Sequence, residues 1–232
     1  MGEKGSLKKD YLALVYNEKR RPKTDYPLKL AEHLIQRFAI KPNDKLLDVG
    51  CGRGEMLNAF SEFGIDCYGV DGAFSAAKAN TKVELLDISK EAFTYEDNFF
   101  DVIFLKSVIE HILDPSFMLS EIHRILKPDG MFIVLTPDWH RSMKVFYEDP
   151  THIHPYLRQS LKDLLLLSGF RDVKTGLFYH HPLIWKYSFY RCLSFLLQCF
   201  LSVKITRKLT EITKIKFIRW SVERQVLGVG YK

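Results

Sequence analysis

The run Leu46-Leu47-Asp48-Val49-Gly50-Cys51-Gly52-Arg53-Gly54 lies where an apolar stretch gives way to a helical pattern. Glycines at alternate positions let a backbone turn tightly and touch a ligand. Amides at the start of the following helix carry positive partial charge, which suits a carboxylate. The rhythm differs from the dinucleotide GxGxxG, because Glu55 stands where the third glycine of that pattern would be. Asp48, two residues before the first glycine, would repel a pyrophosphate and attract an ammonium group.

Two more acids follow apolar runs in the same rhythm. Asp71 stands 21 residues after Gly50, and Asp87 follows Val83 to Leu86. A carboxylate at the end of the strand after the glycine loop can accept both hydroxyls of a ribose. Asp87 is placed to accept from an adenine amino group. A lone acid at a strand end is more often a cap or turn, but three acids in register with the loop change that weighting. Carboxylate, ammonium, ribose and adenine together describe S-adenosylmethionine, with Cys51, Gly72 and Ile88 as the adjoining backbone and apolar contacts.

A second group could move protons. His111 lies in Glu110-His111-Ile112, and His152 and His154 lie in Tyr147-Glu148-Asp149-Pro150-Thr151-His152-Ile153-His154-Pro155-Tyr156. A sulfonium methyl is already activated, so transfer needs mainly alignment, and a hydroxyl acceptor adds a need for a base. His111, His152 and His154 are the candidates. Glu110 with these imidazoles could also form a carboxylate-imidazole metal site. No metal is assigned, since the first acid position of an ExxEH pattern is Ser107 here.

The elements that must carry these groups alternate. Lys45–Val49, Cys67–Val70, Val83–Leu86, Val102–Leu105, Met131–Leu135 and Arg171–Tyr179 read as strands. Pro27–Phe38, Glu55–Phe63, Phe74–Ala79, Ser116–Leu126 and Arg158–Leu167 read as helices. Strands separated by helices imply an α/β fold, with a Rossmann-like, mostly parallel sheet covered on both faces. Residues 1–43 read as an arm and a helix, and 44–179 as the cofactor-binding core.

Composition narrows the classes. Cys51, Cys67, Cys192 and Cys199 show no CxxC spacing and suit a cytoplasmic protein with reduced thiols. The charged start has no apolar run of the secretory kind. Asp44 to Gly130 holds 8 Lys/Arg and 16 Asp/Glu, a net −8, so the flanks carry +14 of a chain whose net is +6. An acidic centre argues against a nucleic-acid groove running through the whole domain, and the basic flanks could meet an anionic substrate, RNA or a lipid surface.

The runs LLDVGCGRG, YGVDGA, LLDIS, FDVIFLKSVIEHILDP and EIHRILKPDGMFIVLTPD resemble, in order and spacing, the class I S-adenosylmethionine-dependent methyltransferases of the small-molecule branch. The resemblance covers about Asp44 to Phe170. It implies cofactor contacts at Asp48, Gly50, Gly52, Gly54, Asp71 and Asp87, with Lys106 and Ser107 flanking the methionine end. It also implies seven strands with an antiparallel last one. Arg171–Tyr179 and Val226–Tyr231 suit the sixth and seventh. The segment DPTHIHPY is similar to one in methyltransferases of sugars and surface-glycan precursors. The implied activity is O-methylation of a sugar, glycan precursor or related metabolite. The alternatives are RNA methylation, for which no separate binding module is visible, and a non-catalytic cofactor-binding module.

The stretch His180 to Arg224 breaks the alternation. A structureless loop of about 45 residues is improbable in a compact domain, so the expectation is a helical insertion over 180–224 before a final core strand in 225–232. Cys192 to Val203 carries no charge, and Ser194, Gln198 and Ser202 form a narrow polar stripe. At 12 residues this run is too short to span a bilayer. Its apolar remainder calls for burial against the domain, a second subunit or a membrane interface. Beyond it, seven Lys/Arg from Lys204 to Arg224 oppose only Glu211 and Glu223. Peripheral membrane contact and a homodimer are the two partners that pattern suits.

Overall fold

A computed structural model describes residues 23–72, 82–187, 189–213 and 215–232. Of the arm expected over residues 1–24 only Lys23 and Thr24 are described, and the helix expected at Phe74–Ala79 lies outside the described residues. The order is α1 (Tyr26–Phe38), β1 (Lys45–Val49), α2 (Glu55–Ser61), β2 (Asp66–Asp71), β3 (Val83–Leu85) and β4 (Phe100–Lys106). There follow α3 (Ser116–Ile125), β5 (Leu126–Pro137), α4 (Trp139–Ser142), α5 (Arg158–Leu167) and β6 (Arg171–Tyr179). Four helices, α6 (Pro182–Lys186), α7 (Phe189–Phe200), α8 (Val203–Thr213) and α9 (Lys216–Val222), precede β7 (Arg224–Tyr231). The seven strands form one sheet in the order β3-β2-β1-β4-β5-β7-β6. The expected fold class and the expected helical insertion are both found.

By internal contacts the chain divides into two units. The first comprises 1–105, 116–132 and Lys232, and the second 106–115 and 133–231. In the first unit β1 pairs in parallel with both β2 and β4, and β2 with β3. Leu46, Leu47 and Val49 on β1 and Ile103, Phe104 and Leu105 on β4 are fully buried. Near-continuous apolar runs of this kind mark strands covered on both faces. Phe60 of α2 meets Phe104 edge-on, with ring centroids 5.4 Å apart.

An ion-pair cluster closes this unit away from the glycine loop. Arg124 at the end of α3 donates Nε to Glu121 Oε1 (2.8 Å) and Nη2 to Glu121 Oε2 (2.7 Å). It also donates to the Phe93 carbonyl at 2.9 Å, the Tyr95 carbonyl at 2.9 Å and Asp97 at 2.7 Å. The Phe93 amide completes the buried Glu121 at 2.8 Å.

In the second unit β6 and β7 pair antiparallel from Arg171↔Tyr231 to Tyr179↔Arg224. Buried Asp138, just beyond β5, accepts from Arg224 Nε at 2.9 Å and Nη2 at 2.6 Å. Its amide donates to the Arg224 carbonyl at 3.1 Å. Among the described residues no single helix is long and apolar enough to cross a membrane.

The hydrogen bonds from Arg124 hold the Glu121 carboxyl below its ordinary value of 4.5. A depressed carboxyl stabilises fully above its ordinary pKa and loses that contribution as pH falls through the lower folded value. Arg124→Met should therefore lower the unfolding free energy at neutral pH by about 2 kcal/mol, since it strands a buried carboxylate. Urea titrations should show the gap to wild type narrowing below the ordinary carboxylate range. A gap that stays constant into acid would contradict this account.

Candidate active site

The glycine loop is built by the end of β1. Asp48 is buried on that strand. Past Val49, the amides of Gly50 and Cys51 both donate to the Val70 carbonyl, at 2.7 and 3.2 Å, so the loop hangs from β2. Gly50, Gly52 and Gly54 have φ of 73°, 54° and 72°. Side chains rarely adopt this left-handed region, which explains the alternate glycines. Gly54 opens α2. A Cβ built on Gly52 would meet nothing within 4 Å, so backbone conformation, and room for a ligand, govern that position.

Asp71 ends β2 and accepts from the Gly52 amide at 2.8 Å. The acid assigned to the ribose thus also holds the loop. A carboxylate has about four lone-pair directions and can serve several donors at once. Buried Cys51 packs under the loop, where a Cβ at Gly69 would stand 2.9 Å from its Sγ. Burial, with help from Asp48 and Asp71, pushes the Cys51 thiol pKa upward. The thiol is therefore an inert packing group, and Cys51 can serve a cofactor through its backbone. Gly72 is exposed beside Asp71, and Ile88 is buried beside Asp87. Asp87 makes a local turn, its Oδ1 accepting from the Ser89 amide at 3.2 Å and hydroxyl at 2.6 Å. An adenine amino group would share that carboxylate.

The second unit carries the proton-transfer candidates. Lys106 ends β4. Ser107 takes φ 57°, donates its amide to the Leu135 carbonyl at 2.8 Å and accepts from Gln225 at 3.1 Å. A 3₁₀ turn at Ile109–His111 presents Glu110 and His111. The Glu110 carbonyl accepts the amides of Ile153 and His154 at 2.8 and 3.1 Å, which ties the 147–156 loop to the turn.

The hydrogen bonds decide which ring nitrogens carry protons. His152 Nδ1 lies 2.7 Å from the Phe146 carbonyl, which only accepts. Nδ1 therefore carries a proton, and in the neutral ring Nε2 keeps its lone pair. The Thr151 hydroxyl donates to Asp149 at 2.6 Å, so it must accept from His111 Nδ1 at 2.9 Å. In the neutral ring of His111 the lone pair then also lies on Nε2. The two rings lie 4.7 Å apart. His154 stands aside, with its Nε2 on the Leu113 carbonyl at 2.8 Å.

Glu110 is wholly buried, and Oε2 accepts from the Thr136 hydroxyl at 3.0 Å. Oε1 is buried without a hydrogen-bond partner. Burial raises the carboxyl pKa to about 7. One ligand atom each from Glu110, His111 and His152 lies within 4.8 Å of the others. The structure thus joins His111 to His152 and brings in Glu110, which sequence reasoning had reached only through a metal motif. It also reveals Thr151 and Asp149 as the anchor of His111. The Asp149-x-Thr151 spacing is an Asx-turn signal that could have exposed them. Thr136, 26 residues from Glu110, left no local signal.

The methyltransferase-domain family model matches residues 16–175. The chain belongs to this family. Its cofactor is S-adenosylmethionine, in keeping with the loop and strand-end acids described above. A ubiquinone biosynthesis O-methyltransferase of Bartonella tribocorum is 31% identical over 102 residues, covering 40% of this chain and 41% of that protein. A structure of a SAM-dependent methyltransferase from Archaeoglobus fulgidus superposes with TM-score 0.64 at 26% identity, covering 95% of this chain and 99% of that one. Haemonchus contortus phosphoethanolamine N-methyltransferase 2, solved with phosphomonomethylethanolamine and S-adenosylhomocysteine, shares the fold at TM-score 0.66 and 19% identity, covering 98% of this chain and 60% of that one. The chain spans 41%, 25% and 66% of the lengths of three curated relatives it matches.

The assignment of Asp71 has a direct test. Asp71→Ala removes the carboxylate expected to accept from the ribose, together with the clamp on Gly52. Calorimetry with S-adenosylhomocysteine should show affinity weakened by at least about tenfold, the scale of one charge-assisted hydrogen bond. Undiminished binding by this variant would remove Asp71 from the site.

Proposed function

We propose that this protein transfers a methyl group from S-adenosylmethionine to a hydroxyl of a sugar, a sugar-containing lipid or a related small metabolite, with His152 as the base. The observation that carries the reading is the fixed tautomer of His152. Its Nδ1–H is held by the Phe146 carbonyl, which leaves a basic Nε2 on a ring that is only partly exposed. A hydroxyl beside that nitrogen passes its proton to Nε2 as its oxygen attacks the methyl carbon. The carbon–sulfur bond breaks, its electron pair stays on sulfur, and S-adenosylhomocysteine leaves. His111, turned the same way by Thr151, packs beside His152 and limits where that ring can move.

Support for an oxygen acceptor comes from the O-methyltransferase relatives and from an imidazole whose Nδ1–H is held by a carbonyl. Support for a sugar comes from the DPTHIHPY loop, whose polar groups suit a hydroxylated ligand. His152→Asn keeps an amide N–H at the place of Nδ1 for the Phe146 carbonyl and removes the base. Its kcat should fall by about a hundredfold or more, with S-adenosylhomocysteine affinity unchanged. Labelled cofactor incubated with lipid, glycan and RNA fractions should mark the glycan or lipid fraction. Label in RNA alone would overturn the acceptor assignment.

A second reading rests on the orphaned Glu110 Oε1. Glu110, His111 and His152 form a three-ligand set with two oriented imidazoles, and each ring passes its other N–H to a protein oxygen, as metal-binding histidines do. A divalent cation there would polarise the acceptor oxygen. Dialysis against a chelator discriminates the readings. Turnover retained after chelation favours the imidazole base alone, and loss restored by one divalent metal favours the cation.

A further inference from the structure

The helix α7 is turned inside out relative to a soluble amphipathic helix. Its buried side chains are polar. Ser194 and Gln198 face inward, and Gln198 is pinned by four hydrogen bonds. Its Nε2 donates to the Ser221 carbonyl at 2.9 Å, and its Oε1 accepts from Arg141 at 3.0 Å and Arg224 at 3.2 Å. Its own carbonyl accepts from Arg141 at 2.8 Å. Leu197, with Leu201, packs on Val145, Val203 and Val222 along one flank. The rest of the apolar surface faces outward. Phe189, Cys192, Phe195, Leu196, Cys199 and Phe200 recur three and four residues apart and are all exposed. Phe195 is 63% exposed and Phe200 is 82% exposed.

The next helix continues the pattern with charge added. In α8, Ile205 and Ile212 are exposed beside Lys204 and Lys208. The pair α7 and α8 bends by 108° at its junction, so the two helices cannot form one straight span. From His180 to Arg224 there are nine Lys/Arg and two Glu, a net +7. Glu223 is already engaged by Arg207 at 2.7 Å and Arg219 at 2.9 Å. That leaves Lys186, Arg191, Lys204 and Lys208 exposed around the apolar face.

We propose that α7 and α8 form a docking surface for an anionic lipid bilayer, lying in the interface with the phenylalanines among the acyl chains and the lysines at the headgroups. Charge decides this occupant over a second copy of the chain. Two copies joined here would bring Lys186, Arg191, Lys204 and Lys208 of each against those of the other across one apolar seam, with Glu211 the one acid of α7 and α8 to answer them among the described residues. Anionic headgroups supply the missing charge, and the membrane attracts each nearby Lys or Arg. Short helices with a strong apolar face and cationic flanks bind bilayers in this manner. The surface depends on the inverted helix and its charges alone, not on the acceptor chosen above.

The test is flotation of the full chain at low salt with phosphatidylcholine vesicles that contain or lack phosphatidylglycerol. The expected result is flotation with the anionic vesicles only. Lys204→Glu/Lys208→Glu should weaken it by more than about tenfold, and Phe195→Ser/Phe200→Ser should abolish it. The latter pair is solvent-exposed, so circular dichroism should stay native. Exposed Cys192 and Cys199, against buried Cys51 and Cys67, admit a polarity-sensitive thiol dye, whose emission should shift to the blue on the anionic vesicles. No flotation at low salt, equal flotation with neutral vesicles, or flotation undiminished in the phenylalanine variant would each overturn the proposal. So would a dimer by light scattering that the phenylalanine variant dissolves while no vesicle binding is seen.

Discussion

The pairing of Asp138 with Arg224 is the contact on which the second unit depends. Asp138 is almost wholly buried, and a carboxylate there is tolerable only with a full set of donors. Arg224 supplies two side-chain donors, and through its carbonyl it also takes the Asp138 amide. The same guanidinium reaches Gln198. One arginine at the first residue of β7 thereby fixes the exit of β5, the entry of β7 and the rotation of α7. The outward apolar face of α7 is a consequence. A helix whose glutamine must meet Arg141 and Arg224 cannot also turn its phenylalanines inward.

Three buried acids show how differently the fold treats the same chemistry. Glu121 is saturated by Arg124 and the Phe93 amide, and its carboxyl pKa is lowered. Asp138 is saturated by Arg224. Glu110 has one hydroxyl on one oxygen and, among the described residues, no hydrogen-bond partner on the other, and burial raises its pKa to about 7. The first two are structural, because their energetic cost is met within the chain. The third is left unmet beside two imidazoles whose basic nitrogens are set by their neighbours. Incompletely satisfied groups of this kind gather where a ligand completes them.

The sheet and the glycine loop were legible because they depend on local rules. Apolar runs of five residues, glycines at alternate positions and acids at strand ends are readable without knowing what lies opposite. Lys45–Val49, Arg158–Leu167 and Arg171–Tyr179 match the observed elements residue for residue. Strand β5 is longer than expected, running back to Leu126 through Lys127-Pro128-Asp129-Gly130, where Asp129 keeps the left-handed φ of 62° that its turn-like sequence suits. The histidines were legible as candidates but not as a group. Choosing His152 over His154 required the Phe146 and Leu113 carbonyls, which lie 6 and 41 residues away.

The insertion marks where periodicity stops informing. The spacing of Ser194, Gln198 and Ser202 shows a polar stripe, and the ordinary rule turns such a stripe to water. That rule assumes that the interior offers only apolar partners. Here the interior offers two arginines and a carbonyl, and a glutamine that meets all three gains more from burial than from solvent. The partners lie at Arg141, Ser221 and Arg224, far from Gln198 in sequence, so no window on the helix could reveal them. Once the stripe is inside, the apolar arc has no protein left to cover it among the described residues. The arc is thus exposed because the polar stripe, not the phenylalanines, finds its partners inside.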